Sequence, residues 1–200
     1  MESLLIINGS PRAPRSNSKR YIELFTQFFT GSYDQLQALN YSQSTVNLEG
    51  YSDLLLVFPL YADSIPTPLM TFLKIMSQSP KTHRPTIHIL INCGFLEPEQ
   101  NIIAVEMLRF YAKQFGFSFG SVLMIGSGEA ILNTPFSFLV KRRIHKLAAS
   151  IQTHNPLCQS VTMPLPKSIF LSASTKYWLT MGAKHGQTKE TMSTMSIEKE

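Results

Sequence analysis

The chain has 200 residues, of which 44% are hydrophobic and 16% charged, and its formal net charge is +5. This length favours one compact domain, and the hydrophobic share excludes a globally disordered chain. No apolar run approaches the roughly 18 residues of a membrane span, and the first residues lack a secretory leader, so we expect a cytoplasmic protein without a membrane partner. Cys93 and Cys158 lie too far apart for a Cys-x-x-Cys motif.

Apolar runs typical of strands alternate with segments of helical periodicity along most of the chain. The predicted strands cover residues 3–8, 33–39, 53–58, 86–92 and 118–125, and the predicted helices cover residues 19–29, 68–76, 99–115, 135–152 and 174–184. Most strand spacings leave room for a crossover helix, as parallel pairing requires. The second interval is too short for one, so we expect the second crossover helix to be short or missing.

This alternation predicts a doubly wound α/β sandwich, with a five-stranded parallel sheet between helices on both faces. The strand order 2-1-3-4-5 is one option, and it would place ligands at the carboxyl ends of strands 1, 3 and 4. We expect one domain over residues 1–186, containing an extended connector over 155–167. The polar residues 187–200 are predicted to form a mobile tail.

The loop after the first strand combines features that suit a phosphate group. It contains Asn8-Gly9-Ser10-Pro11-Arg12, then Arg15, then Ser16-Asn17-Ser18 at the start of a helix. A helix N-terminus leaves N–H groups unpaired and favours an anion, and the serine hydroxyls and arginines add donors and charge. Neither a triphosphate P-loop nor a G-x-G-x-x-G fingerprint is present. The alternative interpretation is that Ser-Asn-Ser only caps the helix.

A second loop, Pro59-Leu60-Tyr61-Ala62-Asp63, follows the third predicted strand. It would project an aromatic ring and backbone amides over the carboxyl edge of the sheet. A flat amphipathic heterocycle needs such an apolar face to stack on and such amides for its polar atoms. The alternative interpretation is that Tyr61 packs in the core and the nearby prolines only punctuate a turn.

In this order, the loops resemble those of the flavodoxin-like NAD(P)H-dependent FMN and quinone reductases. The first resembles the FMN-phosphate loop of that family. Phe58-Pro59-Leu60-Tyr61-Ala62-Asp63-Ser64-Ile65-Pro66 is similar to its proline–tyrosine flavin loop, and Asn92-Cys93-Gly94-Phe95-Leu96-Glu97-Pro98-Glu99 to the loop after its fourth strand. Tyr177-Trp178 and Ala183-Lys184-His185-Gly186 look like its closing helix. Ala62 stands where the family commonly has a larger, often aromatic residue.

The resemblance implies a flavodoxin-like fold, FMN as cofactor and NAD(P)H as hydride donor. It implies a small-molecule electron acceptor such as a quinone, a flavin, a nitro compound or an azo compound, and a homodimer or homotetramer. The flavin carries the chemistry, so no catalytic side chain is assigned. The implied cofactor-binding residues are Ser10, Arg12, Ser16, Asn17, Ser18, Pro59, Leu60, Tyr61, Ala62, Asp63, Cys93 and Gly94.

Two other functions stay open. One is a flavodoxin-like electron carrier or ligand-binding module without turnover of its own. The positive net charge disfavours the carrier, because the electron-carrying flavodoxins are acidic. The other is a regulatory protein that has lost the cofactor. Nucleic-acid binding is disfavoured because the basic residues are not interleaved with aromatics. The histidines show no metal-ligand spacing, and the G-x-S-x-G elbow of serine hydrolases is missing.

Several residues have two interpretations at this point. Cys93 is an inert packing residue or a flavin contact. The segment Gly126-Ser127-Gly128-Glu129 closes the pocket or is a flexible turn. The turn Lys141-Arg142-Arg143, with Lys146, is a solvated helix face or docks the 2′-phosphate of NADPH. His88 is predicted to be a core or sheet-face residue.

Overall fold

The computed structural model of the chain describes residues 3–13, 15–41, 45–78 and 84–194. Six parallel strands form one sheet in the order β2-β1-β3-β4-β5-β6 within these ranges. The strands are β1 Ser3–Asn8, β2 Ser32–Gln37, β3 Tyr51–Pro59, β4 Thr86–Asn92, β5 Phe119–Ile125 and β6 Cys158–Val161. The α-helices are α1 Asn17–Thr26, α2 Thr67–Ser77, α3 Ile102–Phe115, α4 Ser137–Gln152, α5 Lys167–Lys184 and α6 Lys189–Met192.

The predicted α/β class and the order of the first five strands are confirmed. The sheet has a sixth strand, β6, inside the segment predicted as a connector over 155–167. It pairs with the carboxyl half of β5 at the edge of the sheet. Its four residues are exposed or half-buried in alternation. Such a short edge strand lacks the apolar run that reveals the central strands in the sequence.

The second crossover is reduced as predicted. Between β2 and β3, the described residues contain only a one-turn 3-10 helix, Ala38–Asn40.

The central strands are apolar throughout because both faces of the sheet are covered. Leu5 and Ile7 of β1 join Leu54, Leu56 and Phe58 of β3 in one core with the apolar residues of α2 and α3. Successive side chains of a strand point to opposite faces. The alternate residues therefore face α1 and α4, which contact each other and the sheet.

A buried polar network joins β3, β4 and β5 within the apolar sheet. His88 Nδ1 accepts a hydrogen bond from the Ser121 N–H at 2.9 Å, so the ring carries its proton on Nε2 and donates it to Asp53 Oδ1 at 2.9 Å. The Ser52 hydroxyl donates to the other carboxylate oxygen of Asp53 at 2.7 Å. The prediction of a core histidine at 88 is confirmed. Burial alone would raise the pKa of Asp53, but the hydrogen bonds from His88 and Ser52 outweigh it, and the pKa lies below its ordinary value.

The substitution Asp53→Asn is expected to lower the free energy of unfolding at pH 7 by about 1–3 kcal/mol, because charge-assisted hydrogen bonds are lost. A carboxyl with a lowered pKa stabilises the fold above its unfolded-state pKa and loses that contribution as pH falls through the folded-state pKa. The difference between wild type and variant should therefore shrink below about pH 4 in urea titrations. Asp63→Asn, on an exposed turn, is the control, and a pH-independent difference for Asp53→Asn would contradict this account.

The chain groups into two compact units, Met1–Met163 and Pro164–Glu200. The first contains the sheet and helices α1 to α4. The second contains α5, which begins seven residues before the predicted helix and has no buried residue, and α6, which is capped by Thr188. The domain predicted over 1–186 and the tail over 187–200 stay predictions, and residues 195–200 lie outside the described ranges. None of the described helices combines the length and apolar character needed to cross a bilayer.

Candidate functional site

A cavity of about 560 Å³, here called the α1 cavity, lies at the carboxyl edge of the sheet before the N-terminus of α1. It sits where the strand order reverses between β1 and β3, which is where open α/β sheets bind ligands. Its lining residues come from α1 and the loop before it, from the ends of β3 and β4, from the turn after β3 and from the segment after β5. They are Ser10, Arg12, Arg15, Ser16, Asn17, Ser18, Lys19, Arg20, Glu23, Pro59, Tyr61, Asn92 and Glu129.

The loop between β1 and α1 is shaped by its own polar side chains. Asn8 Oδ1 accepts a hydrogen bond from the Ser10 N–H at 3.1 Å, and Ser10 Oγ accepts one from the Arg12 N–H at 3.2 Å. Asn8 and Ser10 are both buried. The first part of the loop is thus held in a fixed conformation beside the cavity.

Gly9 is required for close packing. Its N–H donates to the Val57 carbonyl at 2.9 Å, which continues the pairing of β1 with β3. An added Cβ would lie 2.9 Å from Leu69 Cδ2 and 3.0 Å from Phe58 Cβ. Gly9 is not among the residues with a positive φ angle. Its role is therefore to let the loop approach α2 and β3 closely, and not to supply a left-handed backbone conformation.

Ser16 and Ser18 have different roles at the start of α1. Ser16 is the N-cap, and its Oγ accepts a hydrogen bond from the Lys19 N–H at 3.2 Å, so the capping interpretation is correct for this residue. Ser18 is only 1% exposed, and its Oγ has no hydrogen-bond partner among the described residues. An unsatisfied buried hydroxyl costs about 1–3 kcal/mol. Capping therefore accounts for Ser16 and does not account for Ser18.

The charges around the α1 cavity suit a dianion. Four cationic and two acidic side chains line it, so its net charge is +2. Arg20 is held by Asn17 Oδ1 at 3.1 Å and Asn133 Oδ1 at 2.8 Å. The described residues include no ion-pair partner for Arg12 or Arg15. These two guanidinium groups remain available to an anion at the helix N-terminus.

The end of β3 and the turn after it form part of the cavity wall. Pro59 and Tyr61 line it, and Tyr61 is 41% exposed. Leu60, in contrast, packs against the apolar core, and its N–H donates to the Asn92 carbonyl at 2.7 Å. The prediction that Tyr61 belongs to the site is consistent with this placement, whereas its alternative, core packing, is not.

Ala62 and Asp63 do not line the cavity and form the tip of a tight turn. The turn is closed by two backbone hydrogen bonds between Tyr61 and Ser64, at 3.2 and 2.9 Å. The φ angles of Ala62 and Asp63 are 46° and 55°, the left-handed pattern of a type I′ turn. An alanine is strained in this conformation because its Cβ approaches the backbone.

Ala62→Gly is therefore expected to raise the free energy of unfolding by about 0.5–1 kcal/mol, since relief of strain exceeds the entropy cost of glycine. Chemical denaturation gives the measurement. Ala149→Gly, on an exposed position of α4, is the control and should lower stability by about 1 kcal/mol. Loss of stability in both variants would show that Ala62 is not strained.

The loop after β4 departs from the predicted site. Cys93 and Gly94 do not line the cavity, and Cys93 is buried, with its Sγ accepting a hydrogen bond from Asn101 Nδ2 at 3.4 Å. Burial raises the pKa of the Cys93 thiol, which keeps it protonated. The structure thus favours the packing interpretation of Cys93. Asn92, which was not among the predicted site residues, lines the cavity, and its buried Oδ1 has no partner within the described ranges.

The segment after β5 is firmly attached to the site. The Gly128 N–H donates to the Cys93 carbonyl, and the Tyr21 hydroxyl donates to the Gly128 carbonyl, both at 2.7 Å. Burial raises the pKa of Tyr21, so the hydroxyl remains a donor. Ser127 adopts a φ of 54° and is tied to the Phe95 carbonyl. The segment is therefore held in place by hydrogen bonds, and its residue Glu129 lines the cavity.

The α1 cavity thus combines a net positive charge at the N-terminus of α1 with a half-exposed tyrosine. Two of its lining residues, Ser18 and Asn92, have a buried side-chain oxygen without a partner in the described structure. Together these features suit a ligand with a phosphate at one end and a flat polar ring system at the other. In the described parts of the chain, no group of three or more His, Cys, Asp or Glu residues is placed to hold a metal ion.

Comparisons with known proteins support the architecture. No protein-family model matches the sequence, and no curated protein matches it significantly. Among solved structures, the FMN-dependent NADH-azoreductase of Bacillus anthracis in complex with FMN is similar, with a TM-score of 0.56 and 13% identity over 76% of this chain and 99% of the other. The NAD(P)H:quinone oxidoreductase of Methanothermobacter marburgensis gives a TM-score of 0.59 and 11% identity, over 75% of this chain and 96% of the other. A flavodoxin of Streptococcus pneumonia gives a TM-score of 0.55 and 10% identity, over 77% of this chain and 99% of the other. At these identities the likeness shows the fold, and this chain has a flavodoxin-like α/β fold.

Proposed function

We propose that this protein is an FMN-dependent oxidoreductase that passes hydride from NAD(P)H through the flavin to a small-molecule acceptor. The observation that carries the proposal is the net charge of +2 around the α1 cavity at a helix N-terminus, where the lining residue Ser18 has a buried hydroxyl without a partner in the described structure. A phosphate monoester supplies both the acceptor oxygens and the two negative charges that this site lacks.

The residues present fit FMN. Ser10, Ser18 and the N-terminal amides of α1 would hold its phosphate, with Arg12 and Arg15 adding charge. Pro59 and Tyr61 would flank the ring system. The cavity volume of about 560 Å³ lies within the range of about 300–1,000 Å³ typical of ligand pockets. Bound FMN supplies two-electron redox chemistry, and the protein contributes binding and orientation.

Two of the similar structures are described as an FMN-dependent NADH-azoreductase and an NAD(P)H:quinone oxidoreductase. This supports quinones and azo compounds as acceptors, beside the flavins and nitro compounds expected from the sequence. Tyr61, half-exposed beside the cavity, is the side chain that we propose to contact the flavin ring or the acceptor. We also propose a cytoplasmic homodimer or homotetramer.

The test begins with the absorbance spectrum of the purified protein, before and after addition of FMN. We expect a protein-bound flavin spectrum, and then oxidation of NADH or NADPH that a quinone or an azo dye accelerates. Bound FMN without nicotinamide oxidation would indicate a carrier or binding module. Failure to bind FMN would overturn the proposal.

A further inference from the structure

A second cavity, of about 370 Å³, lies between the first half of α4 and the end of β6. We call it the α4–β6 cavity. Three cationic side chains line it, those of Arg142, Arg143 and Lys146, together with the hydroxyl-bearing side chains of Ser160 and Thr162. It shares no lining residue with the α1 cavity, so the proposed flavin site does not account for it.

The charge of the α4–β6 cavity is uncompensated. No carboxylate lines it. The ion pairs found in the described ranges involve none of its three cations. Because Arg142 and Lys146 are four positions apart on one helix, their like charges repel each other. A bound anion would remove this repulsion and would form charge-assisted hydrogen bonds with the guanidinium groups.

The walls of the cavity are fixed by hydrogen bonds. Gln159 Nε2 donates to the Arg143 carbonyl at 2.7 Å, which ties α4 to β6. The Thr162 hydroxyl donates to the Leu96 carbonyl and accepts from Ser127 Oγ, which anchors the end of β6. The backbone on both sides of the cavity is therefore fixed, whereas ordering the cationic side chains around an anion costs side-chain entropy.

We propose that the α4–β6 cavity binds a phosphate monoester, with the phosphate against the arginines and the organic group against the remaining wall. Arg142 and Arg143 offer the planar, bidentate geometry that suits phosphate oxygens, and the exposed Ser160 hydroxyl adds a donor. Leu139 and Val161 add apolar surface, and the cavity is larger than a bare phosphate ion requires. An ester is therefore favoured over inorganic phosphate.

The experiment titrates the full-length protein with phenyl phosphate and with inorganic phosphate at constant ionic strength, using backbone amide NMR shifts. We expect saturable shifts at residues 143–146 and 160–162, and at least fivefold tighter binding of the ester. Shifts at residues 10–18 report separately on the α1 cavity, so the result does not depend on whether FMN binds. Shifts confined to residues 10–18, or equal affinity for the two probes, would overturn the proposal.

The variant Arg142→Gln should weaken phenyl phosphate binding at residues 160–162 about tenfold or more. Lys141→Gln is the matched control, because Lys141 is exposed on the same helical turn but does not line the cavity. The control should change the affinity less than twofold. Equal weakening by both variants would show a diffuse charge effect and no site.

Discussion

Replacing Gly120 with alanine is expected to lower the free energy of unfolding by about 2–4 kcal/mol. Gly120 lies in β5 beside the buried ring of His88, and an added Cβ would lie only 2.5 Å from His88 Nδ1 and would also collide with Cε1. The ring cannot move away, because Nδ1 accepts from the Ser121 N–H and Nε2 donates to Asp53. Any displacement would leave buried polar groups without partners, which adds to the cost of overpacking.

Equilibrium denaturation in urea measures this effect. Gly94→Ala is the matched control, because no atom lies within 4 Å of an added Cβ there and Gly94 does not have a positive φ. We expect the control to change stability by less than about 0.5 kcal/mol. Equal stability of the two variants would show that the contact between Gly120 and His88 does not constrain the sheet.

The central strands could be predicted from the sequence because burial on both faces leaves an unbroken apolar run, as in β1 and β3. The edge strand β6 could not, because it has only four residues and alternate ones are exposed, which leaves no apolar run. The contact between Asp53 and His88 could not be predicted from the sequence either. Each lies in a predicted strand, but their contact depends on the register between β3 and β4.

The residues of the candidate site could likewise be predicted only in part. Residues of the loop before α1 could be predicted because the loop and the helix N-terminus are contiguous in sequence. At the ends of β3 and β4, every residue of a contiguous run was predicted to bind the cofactor. Successive side chains of an extended chain point to opposite sides, so only some residues of such a run can line one cavity. Pro59 and Tyr61 therefore line the cavity while Leu60 packs in the core, and Asn92 lines it while Cys93 does not. A polar residue at the end of an otherwise apolar strand was the signal for Asn92.

The substitution Ser18→Ala should have opposite effects on ligand affinity and on stability. Its hydroxyl has no protein partner in the described structure, so its removal is expected to leave the stability of the ligand-free protein unchanged or to raise it by about 1 kcal/mol. FMN affinity should fall about 10- to 100-fold, because a hydrogen bond to a charged phosphate contributes about 1.5–3 kcal/mol. Fluorescence titration with FMN and thermal denaturation of the ligand-free protein measure the two effects.

The variant Ser16→Ala is the control that distinguishes phosphate binding by a serine from helix capping by a serine. Ser16 Oγ already accepts from the Lys19 N–H, so its removal should lower the stability of the ligand-free protein by about 1 kcal/mol. A buried serine that served only the fold would behave in the same way at position 18. Loss of stability in Ser18→Ala, with unchanged FMN affinity, would therefore show that Ser18 stabilises the helix and does not bind the phosphate of FMN. A gain in stability with weaker FMN binding has no explanation in packing alone, because only a ligand makes that hydroxyl favourable.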